Sequence, residues 1–276
     1  MSVDSPAIIG ICLVRNEDRF LQRALRNVLP FCDRILIADH GSTDGTPEIA
    51  QEMARLHPGR FEVHRIGDPR ESSEMLAGYA NTRTWVLGVD GDELYDPAGL
   101  VRLRAELARG LYDEWWVLFG SVLHCTELDE ERRIAKGFMA PPCRSMTKLY
   151  NFNAVARLDP RSPQRLMGLR NEFNPGWDPL KRLELYQTTA WADAHFRCLH
   201  TCFLARSSQE GTSGRMRENL TELRRHSPAA WVRRAWARVR GREVESAWKL
   251  EKYRRGPVVS VDAAAFLLDD PLKLKG

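Results

Sequence analysis

Short apolar runs alternate with amphipathic stretches through the first hundred residues. Continuous apolar runs of this length are typical of strands covered on both faces of a sheet. Strands alternating with helices at this spacing predict an α/β fold built on a mostly parallel, doubly wound sheet. The apolar runs lie at Ala7–Val14, residues 34–38, residues 61–66 and Thr84–Val89.

Three stretches between these runs are predicted to be helices. Residues 20–29 place their apolar side chains on one helical face. In Thr46–Leu56, Thr46 is expected to cap the helix and Pro47 to occupy its first position. A shorter helix is predicted at residues 74–82.

Polar loops follow three of the predicted strands, at residues 15–18, 39–45 and 90–93. In parallel sheets, ligands bind beyond the carboxyl ends of the strands. We therefore expect the three loops to converge on one crevice.

The third loop is acidic and reads Asp90, Gly91, Asp92, Glu93. A divalent metal held by few carboxylates keeps positions open for phosphate oxygens, and Gly91 permits a close approach of the ligand. The alternative is a solvated turn, since Asp-Gly is a common turn dipeptide. The buried strand before the cluster favours a binding site.

Less regular patterns follow residue 97. We expect one catalytic domain over residues 1–205, divided at about residue 110, and a basic helical extension over residues 206–276. The predicted elements are a helix at 97–110, strands at 115–124, 145–152 and 194–204, a charged hairpin at 127–136, a loop at 157–178, and helices at 210–225 and 229–253.

Composition narrows the class of protein. The 276 residues are 43% apolar and 28% charged with a net charge of +4, values of an ordinary globular protein that needs no polyanionic partner. No run approaches the ~20 apolar residues that span a bilayer. The first residues lack the features of a signal peptide, and the six scattered cysteines fit reduced thiols. We expect a cytoplasmic protein.

Three sequence blocks lie at the ends of the first, second and fourth predicted strands. They are Val14-Arg-Asn-Glu17, Ile37-Ala-Asp39-His-Gly-Ser-Thr-Asp-Gly-Thr46 and Trp85-Val-Leu-Gly-Val-Asp90-Gly-Asp92-Glu93. In order and spacing, these blocks resemble family-2 glycosyltransferases of the GT-A fold, over about the first hundred residues.

The resemblance implies roles for individual residues. Asp39 would contact the base or ribose of a nucleotide, in a pocket lined by Val14, Arg15, Asn16 and Glu17. Asp90, with Gly91 beside it, would face the ribose and diphosphate. Asp92 would ligate Mn²⁺ or Mg²⁺, and the donor would be a nucleoside-diphosphate sugar.

The family mostly inverts configuration and uses a carboxylate base on the acceptor hydroxyl. This chain lacks a clear Glu-Asp pair in the corresponding region. Glu172 is the first choice for the base, ahead of Asp178 and Asp193; the alternative is an ordinary exposed acid.

Four potential metal ligands lie close together at His195, Cys198, His200 and Cys202. Strand alternation would place His195 on the opposite face from the other three, and paired Cys-x-x-Cys motifs are absent, so a zinc site is disfavoured. The resemblance implies that His195 or His200 is a third metal ligand, with His200 favoured. A hydrogen-bonded core histidine is the alternative.

Residues 231–240 combine two tryptophans with several arginines in a helical pattern. Such a helix either packs its apolar face on the catalytic domain or lies on an anionic membrane surface. The modest net charge argues against nucleic acid as a partner.

These patterns together predict a metal-dependent glycosyltransferase. Its acceptor would be a saccharide or a lipid-linked molecule in bacterial surface polysaccharide or glycoconjugate synthesis. The alternatives are an inactive GT-A-like binding module and a nucleotidyltransferase, although residues 15–17 lack the glycines of the latter class.

Overall fold

The structure is a computed structural model that describes residues 5–143, 147–159, 171–211 and 251–268. Within these residues the chain forms thirteen strands and five α-helices. The strands are β1 (Ala7–Val14), β2 (Arg34–Asp39), β3 (Phe61–Arg65), β4 (Thr84–Val89), β5 (Glu93–Tyr95), β6 (Val117–Asp129), β7 (Ile134–Met139), β8 (Thr147–Asn151), β9 (Val155–Arg157), β10 (Glu172–Phe173), β11 (Arg182–Glu184), β12 (Arg197–His200) and β13 (Val258–Asp262). The helices are α1 (Leu21–Val28), α2 (Thr46–Leu56), α3 (Glu71–Glu74), α4 (Pro97–Ala108) and α5 (Leu185–Thr188).

A single large sheet runs in the order β13-β7-β6-β8-β4-β1-β2-β3. The N-terminal strands β1 to β4 pair in parallel, whereas β8, β6, β7 and β13 join by antiparallel pairs. The predicted α/β fold is confirmed. The parallel part of the sheet carries the three polar loops, and the second half of the sheet contains both parallel and antiparallel pairs.

Burial of an apolar face explains helix α1, and a side-chain cap explains where helix α4 begins. The inner face of α1 is completely buried at Leu21, Ala24, Leu25 and Val28, against the face of the parallel sheet. Helix α4 begins where the Asp96 side chain accepts a hydrogen bond from the Gly99 amide. An N-cap of this kind contributes about 1 kcal/mol.

Strand β12 lies between β5 and β6, near the acidic loop. It pairs antiparallel with β5 and parallel with β6. In this register His200 lies opposite both Glu93 and His124. A histidine far along the chain is thereby held beside the acidic cluster.

Several predicted elements differ from the structure. Thr46 opens α2 but does not cap it, since Gly45 holds the cap position. The helix predicted at 74–82 is split into α3 and the 3₁₀ turn Ala77–Tyr79. The strand predicted at 194–204 is confined to β12, because hydrogen bonds to the acidic loop turn the chain after His200.

The hairpin predicted at 127–136 is a continuation of two long paired strands, β6 and β7. The loop predicted at 157–178 contains β10, which pairs with β9 in a separate two-stranded sheet. Strand β13, within the predicted extension, pairs with β7. The domain boundary at residue 205 stays a prediction.

Most of the predicted basic extension, including the tryptophan-arginine stretch 231–240, lies outside the described residues. In the part of the chain that is described, no helix has the length and apolar character needed to cross a membrane.

Candidate functional site

The three polar loops leave the parallel sheet at one edge. Val14 at the end of β1 is paired with Asp39 at the end of β2, and Cys12 in β1 is paired with Val89 at the end of β4. The loops therefore emerge side by side.

Direct hydrogen bonds join the first two loops. The Asn16 amide donates to Ser42 Oγ at 2.9 Å, and the Thr43 amide donates to Asn16 Oδ1 at 2.7 Å. The Glu17 amide donates to Thr46 Oγ1 at 2.8 Å. Asn16 has a φ of +54°, a left-handed conformation that asparagine tolerates better than most residues. Thr46 thus stabilises the loop junction.

Asp39, the residue predicted to contact a nucleotide, lies at the end of β2. Asp39 is buried, and its Oδ1 accepts hydrogen bonds from the Ser42 amide at 3.0 Å and from Ser42 Oγ at 2.5 Å. Val14 is buried below it, whereas Arg15 is exposed at the rim. The arrangement orients one carboxylate at the edge of the sheet.

The acidic loop is more deeply placed. Asp92 is 1% exposed, and its backbone carbonyl accepts hydrogen bonds from the Thr201 amide and hydroxyl. Its Oδ2 lies 2.9 Å from Arg206 Nη1 and 3.4 Å from His200 Nε2. Arg206 Nη1 also lies 3.3 Å from Glu17 Oε1. One guanidinium therefore neutralises carboxylates from two of the loops.

Burial and neighbouring charges shift the pKa values of Arg206 and His200. Burial lowers the pKa of Arg206, but Asp92 and Glu17 outweigh that effect and raise it. Burial likewise lowers the pKa of His200, whereas the charges of Cys202 and Asp92 raise it well above its ordinary value. Both groups thus favour a positive charge next to Asp92.

Asp90, Asp92 and His200 meet the geometric requirement of a metal site. One ligand atom from each side chain lies within 4.8 Å of the other two. Two carboxylate oxygens and one imidazole nitrogen fit Mn²⁺, and Mg²⁺ through the oxygens. The residues present therefore fit a divalent metal.

His195 occupies a different position. Its Nδ1 lies 2.9 Å from Glu106 Oε1, on α4, and its side chain is about one-third exposed. Of the two histidines considered from the sequence, His200 is the one beside the acidic loop. Cys198 is buried in the core that contains Tyr95 and Phe196.

Glu172, the predicted base, lies in strand β10 of the small separate sheet. Its side chain is exposed and forms an ion pair with Arg157. The hydrogen bond from Arg157 lowers the pKa of Glu172. Glu172 is therefore ionised at neutral pH, and its assignment as base stays a prediction.

A short segment, residues 206–210, lies across the N-terminal loops. Ser207 Oγ donates to Asp44 Oδ2 at 2.6 Å, the Ser208 amide donates to Asp18 Oδ1 at 2.7 Å, and Gln209 Nε2 donates to the Thr43 carbonyl at 2.6 Å. Burial raises the pKa of Asp44, but hydrogen bonds from Ser207 and Thr46 lower it overall. The segment holds Arg206 against Asp92.

A pocket beside the acidic loop completes the site. Its wall is largely apolar, with a few polar groups, and it opens next to Asp90 and Glu93. The lining residues are Ile11, Leu13, Ser72, Gly88, Val89, Asp90, Glu93, Thr147, Lys148 and Tyr150.

Sequence reasoning missed Arg206 and His124. Arg206 lies in a polar stretch that resembles a solvated loop, and nothing local distinguishes it. His124 reaches the site through its pairing with His200, which is 76 positions away. The only signal for it in the sequence is that a histidine is the last residue of the apolar strand predicted at 115–124.

A substitution at Gly91 tests how closely the acidic loop and the loop after β1 must approach each other. A Cβ built at Gly91 would overlap Glu17 Oε2 and would lie 3.1 Å from Val14 Cγ1. We expect Gly91→Ala to destabilise the fold by about 1–3 kcal/mol, as overpacking does, and to weaken nucleotide binding because Glu17 must move. Thermal melts and a nucleotide titration measure both effects.

Gly78→Ala is the matched control, because no heavy atom lies within 4 Å of a Cβ at that position. Equal melting temperatures and nucleotide affinities for the two variants would contradict this account of Gly91.

Polar loops and an acidic cluster thus lie at the carboxyl edge of a parallel sheet, where α/β proteins bind their ligands. A family model described as Glycosyl transferase family 2 matches residues 11–151, just over half of the chain. The chain belongs to glycosyl transferase family 2, which confirms the family predicted from the three sequence blocks.

Solved structures with a limited likeness to this chain include the following three. S. aureus TarS in complex with UDP is 13% identical, with 75% of this chain and 60% of that chain covered and a TM-score of 0.36. Mannosyltransferase PcManGT from Pyrobaculum calidifontis, in complex with GDP-Man and Mn²⁺, is 21% identical, with coverages of 47% and 37% and a TM-score of 0.32. Glucosyl-3-phosphoglycerate synthase from Mycobacterium tuberculosis, in complex with Mn²⁺ and UDP-glucose, is 13% identical, with coverages of 54% and 57% and a TM-score of 0.36.

The chain spans less than two thirds of the length of each of these three proteins. No protein of curated function matches the chain significantly. The assignment therefore rests on the family match.

Proposed function

We propose that this glycosyltransferase moves a sugar from a nucleoside-diphosphate donor, with help from Mn²⁺ or Mg²⁺, to a saccharide or lipid-linked acceptor. The observation that carries the proposal is the convergence of Asp90, Asp92 and His200 beside the loop that holds Asp39. Synthesis of a bacterial surface polysaccharide or glycoconjugate is the proposed setting. Contact of residues 231–240 with the inner face of the plasma membrane belongs to the same proposal.

The proposed roles are those that the resemblance to the family implies. Asp39 binds the base or ribose, with Val14, Arg15, Asn16 and Glu17 around it. Asp90 faces the ribose and diphosphate, where Gly91 allows close approach.

Asp92 and His200 would hold the metal. When bound, the metal neutralises the negative charge that develops on the departing diphosphate. Arg206, already beside Asp92, adds a second positive charge at the same position. The pocket lined by Lys148 and Tyr150 would receive part of the donor.

The first experiment is a thermal-shift titration of the full chain. UDP, GDP, CMP and TDP are added with and without Mn²⁺. We expect one diphosphate to raise the melting temperature in a metal-dependent way, because a ligand that binds the folded state stabilises it. A saturating nucleotide at 100 times its Kd would contribute about 2.7 kcal/mol. If no nucleotide shifts the melting temperature with metal present, the proposal is wrong.

The proposed role of Glu172 as the general base is tested with one variant of Glu172 and one of Arg157. We expect Glu172→Gln to lower kcat by about 10²–10⁴, the usual contribution of a general base. Arg157→Gln removes the hydrogen bond that lowers the pKa of Glu172. A base works in its ionised form, so a higher pKa moves the acid limb of the pH–kcat profile to higher pH.

Glu184→Gln, a nearby partly exposed acid, is the control and should leave the profile unchanged. Unchanged turnover in Glu172→Gln would remove Glu172 from the mechanism. An acid limb that does not move in Arg157→Gln would assign that limb to another group.

A further inference from the structure

A second group of potential metal ligands lies directly behind the acidic loop. His124 at the inner part of β6, His200 at the end of β12 and Cys202 just after it are all buried. One ligand atom from each lies within 4.8 Å of the other two. Together these three residues are called the His-His-Cys cluster.

Two of the three donor separations in the His-His-Cys cluster are close to those of a tetrahedral zinc site. Zn–N bonds of about 2.0–2.1 Å and a Zn–S bond of about 2.3 Å place two nitrogens about 3.3 Å apart and a nitrogen and a sulfur about 3.6 Å apart. His124 Nδ1 and His200 Nδ1 are 3.0 Å apart, and Cys202 Sγ is 3.7 Å from His124 Nδ1. The three donors can therefore hold one ion with little movement.

The two sites use different nitrogens of one imidazole. His200 turns Nδ1 toward His124 and Nε2 toward Asp92. A hard cation prefers the oxygens of Asp90 and Asp92, whereas a thiolate with two imidazoles prefers a softer ion such as Zn²⁺. The two donor sets thus prefer different ions, and His200 ligates one of them at a time, because a neutral imidazole has a lone pair on only one nitrogen.

Aromatic rings enclose the His-His-Cys cluster. Tyr253 stacks on His124 at a centroid distance of 4.4 Å and meets His200 edge-on at 5.8 Å. Phe138 and Phe203 pack with Cys202 and Tyr253 in one apolar group. An apolar shell of this kind keeps water away from a metal site and strengthens its ligation.

We propose that His124, His200 and Cys202 form a binding site for a thiophilic divalent ion, with Zn²⁺ as the best fit, next to the proposed Asp90–Asp92 site. The three side chains supply three of the four ligands that a tetrahedral Zn²⁺ takes. The site does not depend on sugar transfer. Because His200 belongs to both sites, an ion in the cluster changes the ligand available to the metal at Asp92.

The test uses Co²⁺ as a spectroscopic probe of the full chain. We expect wild-type protein to show a sulfur-to-cobalt charge-transfer band, which Zn²⁺ removes by displacement. Cys202→Ser should lose the band. His124→Asn should lower the Zn²⁺ affinity by more than about tenfold, the lower limit even for loss of an outer-shell partner.

Two further variants serve as controls. Cys32→Ser alters another buried free cysteine and should keep the band. Asp90→Asn should also keep it, because the acidic site contributes no sulfur. A nucleotide titration that fails while the band persists would contradict the proposed function alone.

The proposal is overturned if wild-type protein shows no charge-transfer band, or if the band survives in Cys202→Ser. Should Cys202→Ser fail to fold, His124→Asn decides. An unchanged band and unchanged Zn²⁺ affinity in that variant also overturn the proposal.

Discussion

Asp92→Asn is expected to lower kcat/KM by about 10³-fold or more and to remove the dependence of nucleotide binding on Mn²⁺. Asp92 is 1% exposed, and its Oδ2 faces both His200 Nε2 and Arg206 Nη1. Charge stabilisation by a metal contributes several kcal/mol in the transition state, and each 1.36 kcal/mol corresponds to a factor of ten in rate. Asparagine keeps the shape of the side chain but loses the charge that attracts the ion.

The measurements are steady-state kinetics and Mn²⁺-dependent thermal shifts with the identified nucleotide. Asp113→Asn, at a side chain that is half exposed, is the matched control and should retain both activity and metal dependence. Full metal-dependent turnover in Asp92→Asn would show that the ion, if it binds, does not use this carboxylate.

The N-terminal half of the site could be predicted from the sequence because its determinants are local. Strands β1, β2 and β4 are continuous apolar runs, and parallel pairing brings their carboxyl ends together whatever the rest of the chain does. Asp39 is the last residue of β2, and Asp90 and Asp92 lie in the loop that follows β4. Position along the strand was therefore enough to place them at one edge.

The other half depends on pairing between distant segments. Strand β5 has three residues, too few for a periodic signal, yet its pairing with β12 places His200 beside Glu93. Strand β13 joins β7 from a segment assigned to the extension. These registers are set by long-range contacts, which a local hydrophobic pattern does not encode.

The neighbours of His200 also depend on pairing between distant segments. Sequence proximity suggested His195 and Cys198 as neighbours of His200, but His195 pairs with Glu106 and Cys198 is buried in the core. The group at hydrogen-bond distance from His200 Nδ1 is His124, from a different strand. Alternation along a single strand could not identify a partner in the adjacent one.

Substitution of Arg206 is expected to have the second large effect, this time on stability. Arg206→Met is expected to lower the free energy of unfolding by about 3–5 kcal/mol, because removing one partner of a buried ion pair leaves uncompensated charge. The Arg206 side chain is 15% exposed and the Asp92 side chain 2%, so water screens the pair poorly. Methionine preserves most of the apolar volume, so the loss reports the charge.

Arg206→Met also separates structural charge pairing from metal binding. In the wild type, a metal at Asp92 shares the carboxylate with the guanidinium 2.9 Å away. Without that guanidinium, Asp92 and Glu17 lose a positively charged partner that they share, so Mn²⁺ should bind more tightly and raise the melting temperature by more than in the wild type.

The readouts are denaturant unfolding without metal and melting temperature against Mn²⁺ concentration. Arg132→Met, at a side chain that is 80% exposed, should change stability by no more than about 0.5 kcal/mol and leave the Mn²⁺ shift as in the wild type. A smaller Mn²⁺ shift in Arg206→Met than in the wild type would mean that Arg206 supports the ion and does not compete with it. Arg206 would then be a constituent of the bound site, held there by residues 206–210, whose hydrogen bonds reach Asp18, Thr43 and Asp44.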